Sequence, residues 1–118
     1  MISIVDDDAA VRDSLRFLLE CEGYETREFA SAREFLPADR AADGDCLILD
    51  VHMPGMSGIE LLETMRRQGD MRPVIVISGL TDAFMRKRAH AAGALAVIDK
   101  PYHVEEVLKL VRAVAGRG

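Results

Sequence analysis

Two short runs of this chain, CLILD at 46–50 and PVIVIS at 73–78, are apolar almost without interruption. A strand with one face in water alternates apolar and polar residues. A strand that does not alternate is covered on both faces, as in a parallel sheet packed between helices. Parallel neighbours also need crossover connections long enough to hold a helix. ISIV at 2–5 and LAVID at 95–99 have the same character, while YETREF at 24–29 alternates and reads as a half-buried strand.

Between these runs the period changes to that of a helix. Val11, Leu15, Leu18 and Leu19 predict a helix over 9–22, capped by Asp8 and ended by a left-handed turn at Gly23. Ser31 and Glu34 have capping-box spacing and open a short helix ending near Pro37. Ser57 and Glu60 repeat the box before a helix that carries Ile59, Leu62 and Met65 on one side and runs to about Gly69. Thr81 or Asp82 caps an Ala-rich helix ending at Gly93, and Val104, Val107, Leu108, Val111 and Ala115 stripe the last helix. Five strands thus alternate with five helices. At 118 residues the chain is too short for a closed eight-fold barrel. What remains is an α/β domain with an open, doubly wound parallel sheet. No linker or low-complexity tract divides it, so 1–118 reads as a single domain.

Composition narrows the function classes. With 49% hydrophobic residues the chain can bury a real core, and with 30% charged residues it is not a disordered segment. The formal charge is -5 and the Lys and Arg residues are scattered, Arg86-Lys87-Arg88 being the densest group. Direct contact with nucleic acid is therefore not expected of this domain. No apolar run is long enough for a membrane span, and the opening MISIVDDDAA lacks a basic n-region, so a cytoplasmic location is expected. Cys21 and Cys46 have no metal-type spacing, and their apolar contexts predict two buried free thiols in a reducing compartment.

The polar residues gather where strands end. Asp6 and Asp7 follow the first strand, Asp50 ends the third, Ser78 the fourth and Asp99 the fifth, with Lys100 next. In an open parallel sheet the carboxyl ends of the strands form one edge, and ligands bind there. Singly, each residue has an ordinary reading as a helix cap, a turn former or a solvated charge, and Asp8 is read only as a cap. Together they crowd carboxylates into one crevice, which calls for a compensating cation, either a hard metal or a lysine. Asp6, Asp7 and Asp50 offer hard oxygen ligands, and the backbone carbonyl of His52 can add another. Waters would complete an octahedral Mg²⁺ shell. Asp50 is placed to attack a donor phosphorus while the metal neutralises the phosphoryl oxygens. Lys100 offers a flexible point charge and Ser78 a hydroxyl donor for those oxygens. His52, His90 and His103 have no partner at zinc spacing and read as surface positions. The chain contains neither GxxxxGK[ST] nor GxGxxG.

In IVDDDAAVRDSLRFLLECEGYETREFASAREFL, CLILDVHMPGMSGIELL, VIVISG and AGALAVIDKP, the chain resembles the receiver domain of bacterial two-component response regulators over essentially its whole length. The opening half is most similar to the FixJ-type regulators. The resemblance implies a flavodoxin-like strand order 2-1-3-4-5. It implies that Asp50 takes a phosphoryl group from the phosphohistidine of a sensor histidine kinase or a phosphotransfer protein. It implies Mg²⁺ held by Asp7 and Asp50, with Asp6 acting mainly through water, and phosphate contacts from Ser78 and Lys100. It further implies a cis peptide before Pro101, relay to an output domain or downstream protein, and a role in signalling rather than turnover catalysis. A homodimer through the fourth helix, fifth strand and fifth helix fits the same picture. One position departs from the family. Three residues before the lysine the family has Tyr or Phe, and here stands Val97, whose branched side chain has no ring to rotate. Movement of the 79–93 segment is expected to replace that rotation. Two other readings stay open from the residues: a phosphate-ester hydrolase using His52 as its general acid, and a non-phosphorylated interaction module.

Overall fold

In the computed structural model, which describes residues 1–38, 45–79 and 82–115, the apolar runs become five strands. They are β1 (Ile2–Val5), β2 (Thr26–Phe29), β3 (Cys46–Asp50), β4 (Val74–Ser78) and β5 (Ala96–Asp99). Among the described residues five helices alternate with them: α1 (Ala9–Cys21), α2 (Ala32–Ala38), α3 (Gly58–Arg67), α4 (Ala83–Ala91) and α5 (Val104–Val114). All strand pairs are parallel and their order is β2-β1-β3-β4-β5.

Both faces of the sheet are covered, as the unbroken apolar runs require. Val5, Leu47, Leu49, Val74 and Val76 face α2, α3 and α4, where Phe35, Ile59, Leu62, Met65 and Ala89 pack on them. Ile2, Ile4, Ile48, Ile75, Ile77 and Ile98 face α1 and α5, against Leu15, Leu19, Val107, Leu108 and Val111. β1, β3, β4 and β5 therefore give alternate residues to two separate cores, whereas the edge strand β2 gives only Phe29 to the first.

Local chemistry sets the helix starts. The Asp8 carboxylate accepts from the Ala10 and Val11 N–H groups, and Asp82 accepts from Met85 N–H at 2.7 Å. Thr81, the other cap candidate, lies outside the described residues. Ser57 and Glu60 form a full capping box. The box at α2 is displaced by one residue: Ser31 accepts from Glu34 N–H, but Glu34 accepts from Ala30 N–H.

Four expectations need correction. β2 starts at Thr26, because Tyr24 is buried against the α1 and α5 layer instead of continuing the strand. β5 starts at Ala96 and leaves Leu95 exposed. Val104 is likewise exposed, so the buried stripe of α5 begins at Val107. Cys46 is buried, but Cys21 is exposed. Its neighbour Leu19 is buried on the inward side of α1, and at about 100° per residue Cys21 lies nearly opposite it on the helix.

Candidate functional site

The strand register brings the polar residues to one edge. Val5 pairs with Leu49, Asp50 with Ile77, and Ser78 with Asp99, so the ends of β1, β3, β4 and β5 lie level. Backbone bonds carry this alignment one residue past the strands. Asp6 N–H donates to the Phe29 carbonyl, Val51 N–H to Ile77, and Lys100 N–H to Ser78 at 2.8 Å. The start of α3 rests directly on the end of β3, with Gly58 N–H donating to Val51. A Cβ at Gly58 would run into the backbone carbonyl of Asp50. The second glycine of the MPGMSG loop is therefore required by close approach, not by its backbone angles.

Asp6 and Asp50 are buried, whereas Asp7 is exposed. Each of the three offers one carboxylate oxygen, and these oxygens lie within 4.8 Å of one another. Asp6 is held twice: Oδ1 accepts from Asp8 N–H at 2.9 Å, and its carbonyl accepts from Arg12 Nη1 at 2.6 Å. Lys100 Nζ donates to Asp50 Oδ1 at 3.4 Å and stands 4.0 Å from Asp6 Oδ2. The Lys100 ammonium therefore pairs with two of the three clustered carboxylates.

The acidities of the two buried carboxylates reflect their setting. Burial pushes the Asp6 carboxyl up to about 6, with the charges of Asp50 and Asp7 adding to the rise and Asp8 N–H and Lys100 opposing it. Burial also raises Asp50, against the pull of Lys100 and of a bond from His52 N–H. Both shifts mean that burial, more than the neighbouring charges, disfavours the ionised form of these carboxylates. A hard divalent cation fits the donor set, which is all oxygen, acidic and clustered within the reach of one ion.

Not every residue expected at this edge joins the cluster. Asp99 turns away and forms an ion pair with Arg86 at 2.6 Å. Its side chain points with Val97, toward the α4 side of the sheet. Val97 itself is half-buried in the layer that holds Ala89 and Met85, and its carbonyl accepts from Arg86 Nη1. The Lys100–Pro101 peptide is cis. His90 and His103 are exposed. His52 is exposed as well, but its ring is engaged: Nε2 lies 3.2 Å from Ser78 Oγ. Sequence reasoning found no partner for that ring. It also missed Arg12, whose place one turn after the Asp8 cap brings it back over the Asp6 carbonyl.

The chain is similar to known proteins in sequence and fold. The response regulator receiver domain family matches residues 2–112. The transcriptional regulatory protein FixJ of Azorhizobium caulinodans is 40% identical over 116 residues, which are 98% of this chain and 55% of that protein. The response regulator protein TodT of Pseudomonas putida is 42% identical over 114 residues, 96% of this chain and 50% of that protein. The solved structure of FixJ-N is 34% identical with a TM-score of 0.85, covering 99% of this chain and 94% of its own. The chain spans about half the length of the curated relatives it matches.

Proposed function

The chain belongs to the response regulator receiver domain family, the phosphoacceptor signalling module of two-component systems, and from that premise we propose that Asp50 is the residue that takes the phosphoryl group. The observation that carries this reading is the Asp50 carboxylate itself. It is buried at the end of β3, it receives the Lys100 ammonium at 3.4 Å, and it shares a 4.8 Å cluster with Asp6 and Asp7.

A carboxylate oxygen of Asp50 attacks the phosphorus of a phosphohistidine donor. The new P–O bond forms as the donor's P–N bond breaks, and the imidazole leaves. Asp7, Asp50 and the His52 carbonyl, with Asp6 acting mainly through water, would hold a Mg²⁺ ion, which when bound would supply positive charge for the phosphoryl oxygens. Lys100 exchanges its contact with Asp50 for one with a phosphoryl oxygen. Ser78 donates its hydroxyl to another. Water supports slow loss of the phosphoryl group, so the domain acts as a switch and not as a turnover enzyme.

On this reading 1–118 is one receiver domain acting in the cytoplasm. A sensor histidine kinase or phosphotransfer protein supplies its phosphoryl group, and an output domain or downstream protein reads its state. The face of α4, β5 and α5, where Phe84 and Leu95 are exposed, is the candidate surface for that readout and for a homodimer. Among the described residues no helix is long and apolar enough to cross a membrane.

Incubation with acetyl phosphate and Mg²⁺, followed by intact mass, tests the assignment. The wild-type chain should gain one phosphoryl group and Asp50→Asn should gain none. A stable phosphoryl adduct on the Asn variant would sink the assignment of Asp50.

A further inference from the structure

His52 touches both the proposed acceptor carboxylate of Asp50 and Ser78, one of the two side chains proposed to meet the phosphoryl oxygens. Its backbone N–H donates to the Asp50 carboxylate, and its ring Nε2 lies 3.2 Å from the hydroxyl of Ser78. The pairing of β3 with β4, with Asp50 opposite Ile77, is what sets residue 52 beside residue 78. Ser78 is fully buried, whereas the His52 ring lies over it from the exposed side.

We infer that His52 is a positioning residue for Ser78, its ring holding the hydroxyl in a resting place that phosphorylation of Asp50 must overcome. The inference rests on the reading of Asp50 as the phosphoacceptor. A serine hydroxyl has one hydrogen to give, and each ring nitrogen of a neutral imidazole has a single role. If the hydroxyl donates to Nε2, its hydrogen is committed to the ring. If Nε2–H donates to the hydroxyl, the oxygen is pinned at the ring. In the first case a bond from Ser78 to a phosphoryl oxygen replaces the contact with His52; in the second the ring does not take up the hydroxyl hydrogen, and the contact is lost as the oxygen moves toward the phosphoryl group. The ring therefore weights the equilibrium toward the resting arrangement by a few-fold to about tenfold, the worth of one such hydrogen bond. With Val97 in the place of a rotating ring, this contact is a point where the hydroxyl's position is set by a side chain of the site itself.

Beryllofluoride with Mg²⁺, a non-covalent mimic of the phosphoryl group, provides the test. Its apparent affinity is measured by calorimetry at one fixed pH on the full chain, on His52→Ala, on Ser78→Ala and on the double variant. Side-chain replacement at 52 leaves its backbone carbonyl and N–H in place. His52→Ala should bind the mimic about threefold to tenfold more tightly than wild type. In the Ser78→Ala background the same change should do less than twofold, because the group it acts through is gone. His52→Gln, whose amide can again engage the hydroxyl, should return toward wild type. An unchanged or weaker affinity in His52→Ala, or an equal gain without Ser78, overturns the inference. Acetyl phosphate labelling of wild type and Asp50→Asn separates the premise. If wild type takes no phosphoryl group or the Asn variant takes one, the phosphoacceptor reading fails and the inference with it. If labelling is as expected and the affinity pattern is absent, the inference alone fails.

Discussion

Helices α3 and α4 lie side by side on the same face of the sheet, yet they are held there by different forces. In α3, Gly58, Ile59, Leu61, Leu62 and Met65 are buried. In α4 only Ala89 is. What α4 lacks in burial it replaces with polar tethers. Arg88 bonds Glu63 of α3 at 2.8 Å and 3.3 Å. Arg86 bonds Asp99 at the end of β5. Arg66 of α3 donates to the carbonyls of Ala92 and Gly93, just past the end of α4, at 3.0 Å each. Burial is gained or lost as a whole, whereas surface ion pairs are exchanged at little cost. The helix that anchors the phosphoacceptor loop is thus the fixed one. Its neighbour, on the surface proposed for readout, is the more weakly buried of the two and the one expected to shift.

The sharpest test of that contrast is truncation in each helix. Leu62 has no exposed surface, so Leu62→Ala should cost about 2–5 kcal/mol of stability. Phe84 in α4 is 71% exposed, and Phe84→Ala should change stability by no more than about 0.5 kcal/mol. Urea unfolding of both variants measures the difference. Comparable losses would mean that α4 is held by burial after all.

The acidic edge gives a second, smaller effect that the α4 face should lack. Asp6 has its folded acidity near 6, against an ordinary value of 3.8. Because the folded pKa is the higher one, the folded state binds more protons between these values, and stability falls as pH rises through that window. Below about pH 4 the group is protonated in both states and carries no penalty. Above about pH 6 the penalty is complete, on the order of 2–3 kcal/mol. Burial raises Asp50 in the same direction. In a chelator, Asp6→Asn should therefore be more stable than wild type at pH 8, with the difference closing toward pH 4. Thermal melts across pH 4–8 check this. Saturating Mg²⁺ should narrow the gap by stabilising the charged wild-type site. A difference that does not vary with pH would show that the buried carboxylate is not its source.

How far the sequence could be read follows the same division. The apolar runs of β1, β3 and β4 were legible because residues buried on both faces leave no alternation, and their order along the chain placed Asp6, Asp7, Asp50, Ser78 and Lys100 on one edge. The caps at Asp8, Ser57 and Asp82 were legible because they are local chemistry. Side-chain direction beyond a strand end was not. Asp99 has the same sequence setting as Asp50, yet it turns to Arg86 because the pleat puts it on the α4 side. Cys21 looked apolar from its neighbours, but its angle on α1 decided its exposure. The His52–Ser78 contact joins residues 26 apart and becomes visible only once β3 and β4 are known to pair. Of the arginines that tether α4, Arg88 is exposed and Arg66 and Arg86 are half-buried, and composition cannot say which carboxylate or carbonyl each one finds.

The smallest effect is the one that tests those tethers directly. The Arg88–Glu63 pair joins side chains that are 44% and 32% exposed, so it is screened by solvent and Arg88→Ala should cost under about 1 kcal/mol overall. Global unfolding will barely register that. Local opening will, because a helix with one buried residue opens without unfolding the core. Hydrogen exchange in Arg88→Ala should therefore lose protection severalfold across 83–91 while 58–67 stays as in wild type. Phosphorylation of Asp50 should act on the same element. Val97 has one restricted torsion and cannot carry a side-chain rotation, so the change in protection should fall in 82–93 with little at 97. Arg88→Ala should shrink that phosphorylation-dependent change, since part of the opening has already occurred. If protection falls equally in 58–67, or does not change in 83–91, α4 is not the displaceable partner of a fixed α3. The proposed route from Asp50 to the α4 face would then have to run through β5 alone.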